Sequence, residues 1–297
     1  MKIQILKKII LENLPSASGV DVFQDKIYII GDDSPLLYIL DKNYNLLEKI
    51  EIFKTEHFSS GRIPKKLKED LECSTIINYE NQDYLLLAGS GSNENRNNAY
   101  LINLATNYIE KFSLKLIYSL FLDIYEDISL INVEGVCNDD TFVYFFNRGG
   151  KNSPNLVLRM RVSHLFEYFK TKNIENFSYM LYNFELPSIN NINSGFSGAT
   201  FFDNKIFFTS SVENTDNAID DGEVLGSLIG VANYEFENNL EIVEYSKLTE
   251  NNIISKLKIE SITILSKENN KYKALLVEDD DLGGSQILEA LIELEKL

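Results

Sequence analysis

The sequence predicts an all-β fold, a five-bladed β-propeller formed by residues 1–297 as one domain, and three observations favour it. Short strands rich in β-branched and aromatic residues run through the chain, each followed by Gly, Asn, Asp or Ser. Groups of three such strands recur five times. The five copies are also nearly evenly spaced, which is typical of a radial repeat. The alternatives are a six-bladed ring, a β-sandwich or two stacked all-β domains, and neither of the last two requires even spacing.

The copies align on the residue that opens the first strand of each. These positions are separated by 54, 62, 63 and 63 residues and are Ser18, Glu72, Glu134, Ser197 and Glu260. In the second copy a register shifted by two would place Ser74 at this position instead. The fifth copy lacks an obvious fourth strand, and we expect the alternating apolar run at residues 2–10 to supply it and close the ring.

Two segments interrupt the strand pattern. Residues 114–131 form a long connection, either a helical insertion or an extended outer strand. Residues 162–172 place Leu165, Phe166 and Phe169 at helical spacing, which predicts a helix attached to the third blade. Neither segment has the size of a separate domain.

Composition excludes several classes of function. The chain has 45 acidic and 28 basic side chains, a net charge of −17, which argues against nucleic-acid binding. It contains two cysteines and two histidines, too few for a disulfide framework or a histidine-rich zinc site. No signal peptide or membrane span is apparent, so we expect a cytoplasmic protein without membrane association.

The first strand of each propeller blade lines the central channel, so the five aligned residues are expected to form a ring. Three carboxylates in a narrow channel repel one another unless protons or a cation neutralise them. Oxygen ligands suit a hard cation such as calcium, with magnesium or no metal as alternatives. Taken singly, each residue also fits a role at the start of a strand, and Glu260 fits an ion pair with Lys258.

Short motifs resemble known propeller families. Asp70-Leu-Glu-Cys-Ser and Val133-Glu-Gly-Val resemble the D-x-E-G-[LIV] blade openings of the esterase-like phytases. The Ser-Glu-Glu-Ser-Glu order is similar to the calcium-holding ring of the calcium-activated nucleotidases, the apyrases. This resemblance implies a calcium ion held by the five ring residues. The chain lacks Trp and the flanking nucleotidase motifs, and overall it resembles an uncharacterised group of bacterial propellers, which implies a fold but no reaction.

The loops after the second strands are expected to open on the same face as the ring. Their acidic residues include three candidates for a catalytic base, Asp33, Glu213 and Glu278. Basic residues expected on this face would bind an anionic ligand, and these are Arg62, Lys65, Lys66, Arg96 and Arg148. The alternative is that the lysine-rich segment is a solvated charge run.

Three functional hypotheses remain open on this basis. The first is a metal-dependent hydrolase of phosphoesters or other anionic esters. The second is a non-catalytic propeller that binds a small anion or a protein partner, with a structural ion. The third is a scaffold with no metal. Because propellers serve many unrelated functions, the predicted fold does not distinguish between them.

Overall fold

Five four-stranded antiparallel sheets form a ring, and we number them blades 1 to 5 along the chain. The structure is a computed structural model that describes residues 1–58, 61–150, 153–214, 222–235, 239–280 and 283–295. The first strand of each blade contacts the first strands of both neighbouring blades. The fold is therefore a five-bladed β-propeller, as the sequence predicts.

The strands of the first three blades follow one another along the chain. Strand β1 (Lys2–Ile10) comes first. Blade 1 contains β2 (Ala17–Phe23), β3 (Lys26–Gly31), β4 (Leu36–Asp41) and β5 (Leu46–Glu51). Blade 2 contains β6 (Leu71–Tyr79), β7 (Gln82–Gly89), β8 (Asn98–Asn103) and β9 (Ile109–Ser113). Blade 3 contains β10 (Val133–Asn138), β11 (Phe142–Asn147), β12 (Asn155–Arg161) and β13 (Tyr179–Phe184).

Short hairpins precede and follow blade 4. The first pairs β14 (Ser188–Ile189) with β15 (Ile192–Asn193). Blade 4 contains β16 (Gly195–Phe202), β17 (Lys205–Asn214), β18 (Glu223–Glu235) and β19 (Asn239–Lys247). The second hairpin pairs β20 (Thr249–Glu250) with β21 (Ile253–Ile254). Blade 5 contains β22 (Lys258–Glu268), β23 (Lys271–Asp279) and β24 (Ser285–Glu293), and β1 pairs with β24 as its fourth strand.

Helical elements lie around blades 2 and 3. A 3₁₀ turn, Glu94–Arg96, lies between β7 and β8. The connection before blade 3 is a helical insertion with α1 (Lys115–Tyr118) and 3₁₀ turns at Ser119–Asp123 and Ile128–Leu130. The predicted helix is confirmed as α2 (Val162–Thr171), which stacks Phe166 on Tyr79 of blade 2. No helix in the described part of the chain is long and apolar enough to cross a membrane.

Apolar side chains fill the spaces between neighbouring blades. Because successive residues of a strand point to opposite faces, each inner strand contributes to two such cores. Leu85 and Leu87 pack with Ile30 between blades 1 and 2, for example, whereas Leu86 packs with Phe145 between blades 2 and 3. Apolar packing therefore holds neighbouring blades together.

Candidate functional site

All five aligned positions are the extra residue of a β-bulge in the first strand of their blade. Where the first strand of each blade pairs with the second, one residue of the first strand has no partner in the register. These residues are Ser18, Glu72, Glu134, Ser197 and Glu260. A bulge re-aims the side chain of the extra residue. In blade 2 the bulge lies at Glu72, whereas Ser74 pairs with Leu87. The five positions are therefore equivalent in structure, with Glu72 as the blade 2 member.

The two serines of the ring make the same contact. Ser18 Oγ donates a hydrogen bond to the backbone oxygen of Leu71 at 2.6 Å, and Ser197 Oγ donates to that of Ile259 at 2.6 Å. Each acceptor residue directly precedes a ring glutamate of the next blade. The serines thus join blade 1 to blade 2 and blade 4 to blade 5, and they fix the strands that carry Glu72 and Glu260.

Glu72 lies in a group of three carboxylates. One oxygen of Glu72, one of Asp32 and one of Asp70 lie within 4.8 Å of one another, a spacing at which they could hold a metal ion. Lys68 Nζ forms ion pairs with Asp32 and, at 2.8 Å, with Asp70. Burial, together with the charges of Asp70 and Glu134, nevertheless raises the pKa of Glu72 well above its usual value. One lysine therefore does not neutralise this group.

Glu134 and Glu260 form the other acidic part of the ring. Asn132 Nδ2 donates to Glu134 at 2.6 Å. Burial raises the pKa of Glu134 to about 8, and repulsion from Glu260 adds to the shift while Arg148 opposes it. Glu260 forms an ion pair with Lys258 at 3.0 Å through one oxygen. Its other oxygen, Oε2, is buried and has no hydrogen-bond donor among the described residues, so an acceptor is left for a ligand.

The three predicted catalytic bases have different surroundings. Glu213 lies 2.7 Å from Arg148 and 3.7 Å from Lys258. Burial acts to raise its pKa, but these two cations hold the pKa below its usual value, so Glu213 is ionised. Asp33 is paired with Arg62 at 2.5 Å.

Glu278, near the end of β23, accepts a hydrogen bond from Gln286 at 3.0 Å. Glu213 is linked to the ring through Arg148 and Lys258, which also contact ring glutamates. Asp33 lies beside Asp32 of the carboxylate group and acts on its pKa, and Glu278 contacts its neighbouring strand.

The predicted anion-binding set divides into arginines at the mouth and lysines at the surface. Arg96 is bonded to Asp70 at 2.7 Å, and the other two arginines pair with acids as described above. Lys65 and Lys66 are exposed, and the backbone oxygen of Lys65 accepts a hydrogen bond from Arg96. An anion at the mouth would therefore compete with carboxylates already bound to the arginines.

Acidic groups outnumber basic groups at the channel mouth. Among the described residues, ion pairs and electrostatic interactions link eight carboxylates: Asp32, Asp33, Asp70, Glu72, Glu134, Glu213, Glu260 and Asp279. The same network contains five cations: Arg62, Lys68, Arg96, Arg148 and Lys258. We call these thirteen residues the mouth network. Its excess of negative charge favours the binding of protons or a cation.

The sequence alone did not predict Asp32, Asp70 or Asn132 as site residues. Asp70 and Asn132 come two residues before Glu72 and Glu134, as Lys258 comes two before Glu260. Each of these polar residues lies two positions before a ring glutamate, and this shared offset was a signal in the sequence. Asp32 directly precedes Asp33 in the loop that was already expected at the mouth.

Comparisons with known proteins identify a family and a fold. A model described as a family of unknown function, DUF6929, matches residues 13–292. Glutaminyl cyclase from Myxococcus xanthus is similar in structure, with 8% identity, a TM-score of 0.54, and coverage of 99% of this chain and 97% of that one. An α-L-arabinanase mutant from Cellvibrio cellulosa is also similar in structure, with 12% identity, a TM-score of 0.52, and coverage of 97% of this chain and 93% of that one.

No curated protein matches the chain. At these identities the two solved structures support the propeller fold alone. The resemblance to phytases and nucleotidases stays a prediction.

Proposed function

The chain belongs to the family of unknown function DUF6929, and we propose that its channel mouth binds a hard divalent cation that serves hydrolysis of a phosphoester or another anionic ester. The excess of buried carboxylates in the mouth network supports this proposal best. A cation of the calcium class would offset that charge, and magnesium is the alternative.

The residues present fit such an ion. Glu72, Glu134 and Glu260 provide carboxylate oxygens at equivalent positions of three blades, and Oε2 of Glu260 is buried without a donor. The hydroxyls of Ser18 and Ser197 donate their protons to backbone oxygens, so each hydroxyl oxygen keeps lone pairs that can bind a cation. The ring contains no His or Cys, which softer metals prefer.

The chain also carries groups suited to hydrolysis. A bound cation would polarise an ester or phosphoryl oxygen. Glu213, which Arg148 and Lys258 keep ionised, can accept a proton from an attacking water. Arg148 contacts both Glu213 and Glu134, so it orients this base relative to the ring.

Calorimetry with calcium and magnesium tests the cation site. We expect chelator-treated protein to bind one of these ions, and Glu134→Gln to weaken the binding at least about tenfold because Gln cannot release a proton to bind the ion as a carboxylate. Glu110→Gln, at an exposed position of outer strand β9, is the matched control and should bind like the wild type. Absence of binding heat and of terbium luminescence from the folded wild type would overturn the proposal.

Turnover of nitrophenyl phosphate and nucleotides tests the hydrolytic part. We expect activity that a chelator abolishes and calcium or magnesium restores. Glu213→Gln should lose turnover by about a hundredfold or more while it keeps the cation, since a general base contributes on this order. If the cation binds but no ester is turned over, the mouth is instead a binding site for a small anion or a protein, with a structural ion.

A further inference from the structure

A basic segment between blades 1 and 2 lies against the channel mouth. We call residues 61–68 the strap. The amide of Ile63 donates to the backbone oxygen of Asp33 at 2.8 Å, and Arg62 forms an ion pair with the same aspartate. Further along, Arg96 donates to the backbone oxygen of Lys65 at 3.0 Å. The strap is thus attached to the mouth loops of both blades.

One lysine of the strap points inward. Lys65 and Lys66 are exposed, but the side chain of Lys68 is 10% exposed. Its ammonium bridges Asp32, which follows β3 in blade 1, and Asp70, which precedes β6 in blade 2. The strap therefore carries a cation of the chain itself into the carboxylate group that contains Glu72.

We infer that Lys68 competes with the divalent cation for the carboxylates of Asp32, Asp70 and Glu72, so that cation binding displaces its ammonium and releases the strap. This inference rests on the proposed function and adds a regulation of the same site, because Glu72 belongs both to the ring and to this carboxylate group. The ammonium has one charge and three donors, whereas a divalent cation draws six or more oxygens around itself. The ammonium and a divalent cation would therefore compete for the same three carboxylates, which each place one oxygen within 4.8 Å of the others.

Displacement has a consequence for access to the mouth. The strap's inward contact at Lys68 joins blades 1 and 2, and Arg62 makes a second ionic contact with blade 1. Loss of the Lys68 contact removes one of these attachments. An ion that enters the mouth would thereby loosen the segment that lies against it and expose the channel to a larger ligand.

Calcium titration of Lys68→Met tests the competition, with Lys66→Met as the matched control. Both substitutions remove a lysine charge from the strap, but Lys66 is exposed. We expect Lys68→Met to bind calcium about tenfold or more tightly relative to wild type, because its competitor is gone, and Lys66→Met to bind like the wild type.

Amide hydrogen exchange of the wild type provides a readout that does not depend on the folding of a variant. Strap amides that are bonded in the structure, Ile63 to Asp33 and Leu67 to Pro64, should exchange several times faster when calcium is added. Protection that stays the same or increases would contradict release of the strap.

The outcomes separate the inference from the proposed function. If the wild type and Lys68→Met bind calcium equally, or the variant binds more weakly, the inference is overturned and the cation site stands. If both are folded and neither binds calcium or magnesium, the proposed function is overturned as well. Binding by the variant alone would mean that the ion does not displace Lys68 in the wild type, which overturns both the inference and the proposed function.

Discussion

Ion pairs at the channel mouth join residues from different blades. Arg148, at the end of β11 in blade 3, bonds to Glu213 of blade 4, and Lys258 lies between Glu213 and Glu260 of blade 5. Transfer of such charges from water costs free energy, and removal of one partner leaves the other buried and unpaired. A cluster of this kind is a weak source of stability. Its perturbed pKa values instead favour a functional role.

A different carboxylate, Asp21 of β2, makes folding stability depend on pH. Burial raises its pKa to about 6 from 3.8, although a hydrogen bond from Ser74 acts in the opposite direction. Between these values the folded protein holds a proton that the unfolded chain has released. We therefore expect Asp21 to lower the free energy of unfolding as pH rises from about 4 to 6, by no more than about 3 kcal/mol.

Urea unfolding of Asp21→Asn at several pH values measures this effect. The variant does not titrate, so its stability relative to wild type should increase between pH 4 and 6 and stay constant above about pH 7. Asp25→Asn, in the exposed turn after β2, is the control and should follow the wild type. Parallel pH profiles for wild type and Asp21→Asn would mean that the carboxyl group titrates alike in the folded and unfolded states, which would contradict the prediction.

At the scale of elements, the blade repeat was predictable because it is local. Each blade repeats the same strands and turns along the chain, so spacing alone located Ser18, Glu134 and the other ring positions. The bulge that makes these positions equivalent has no residue signature of its own. In blade 1 the extra residue is a serine and in blade 5 a glutamate, and both are followed by a residue that rejoins the ladder.

The ion pair of Glu260 with Lys258 was predictable because both residues lie in one strand, but ion partners from other elements were not predictable from the repeat. Arg62 was expected at the mouth as a binder of anions, but it meets Asp33, 29 residues away in sequence. Arg148 meets Glu213, 65 residues away and in the next blade. Spacing within a blade fixes which residues reach the mouth. It does not fix which opposite charge from a neighbouring blade lies within reach.

At the scale of the whole molecule, closure of the ring depends on β1. This strand pairs with β24 from Lys2 opposite Glu293 to Ile10 opposite Gln286, and it covers what would otherwise be an open edge of blade 5. The mouth network contains residues associated with all five blades, including Glu260 and Asp279 of blade 5. Any loosening of blade 5 would therefore change the spacing of charges at the mouth.

A pair of substitutions in β1 tests how much this closure contributes to stability. Ile5 packs against the core between blades 4 and 5, whereas its neighbour Leu6 is 47% exposed and is passed over by the pairing with β24. We expect Ile5→Ser to lower the free energy of unfolding by about 1–2 kcal/mol, because it removes a partly buried apolar side chain. Leu6→Ser deletes a side chain of similar size and should change stability by less than about 0.5 kcal/mol. Equal losses for the two variants in urea unfolding would mean that β1 does not use its apolar face to hold blade 5.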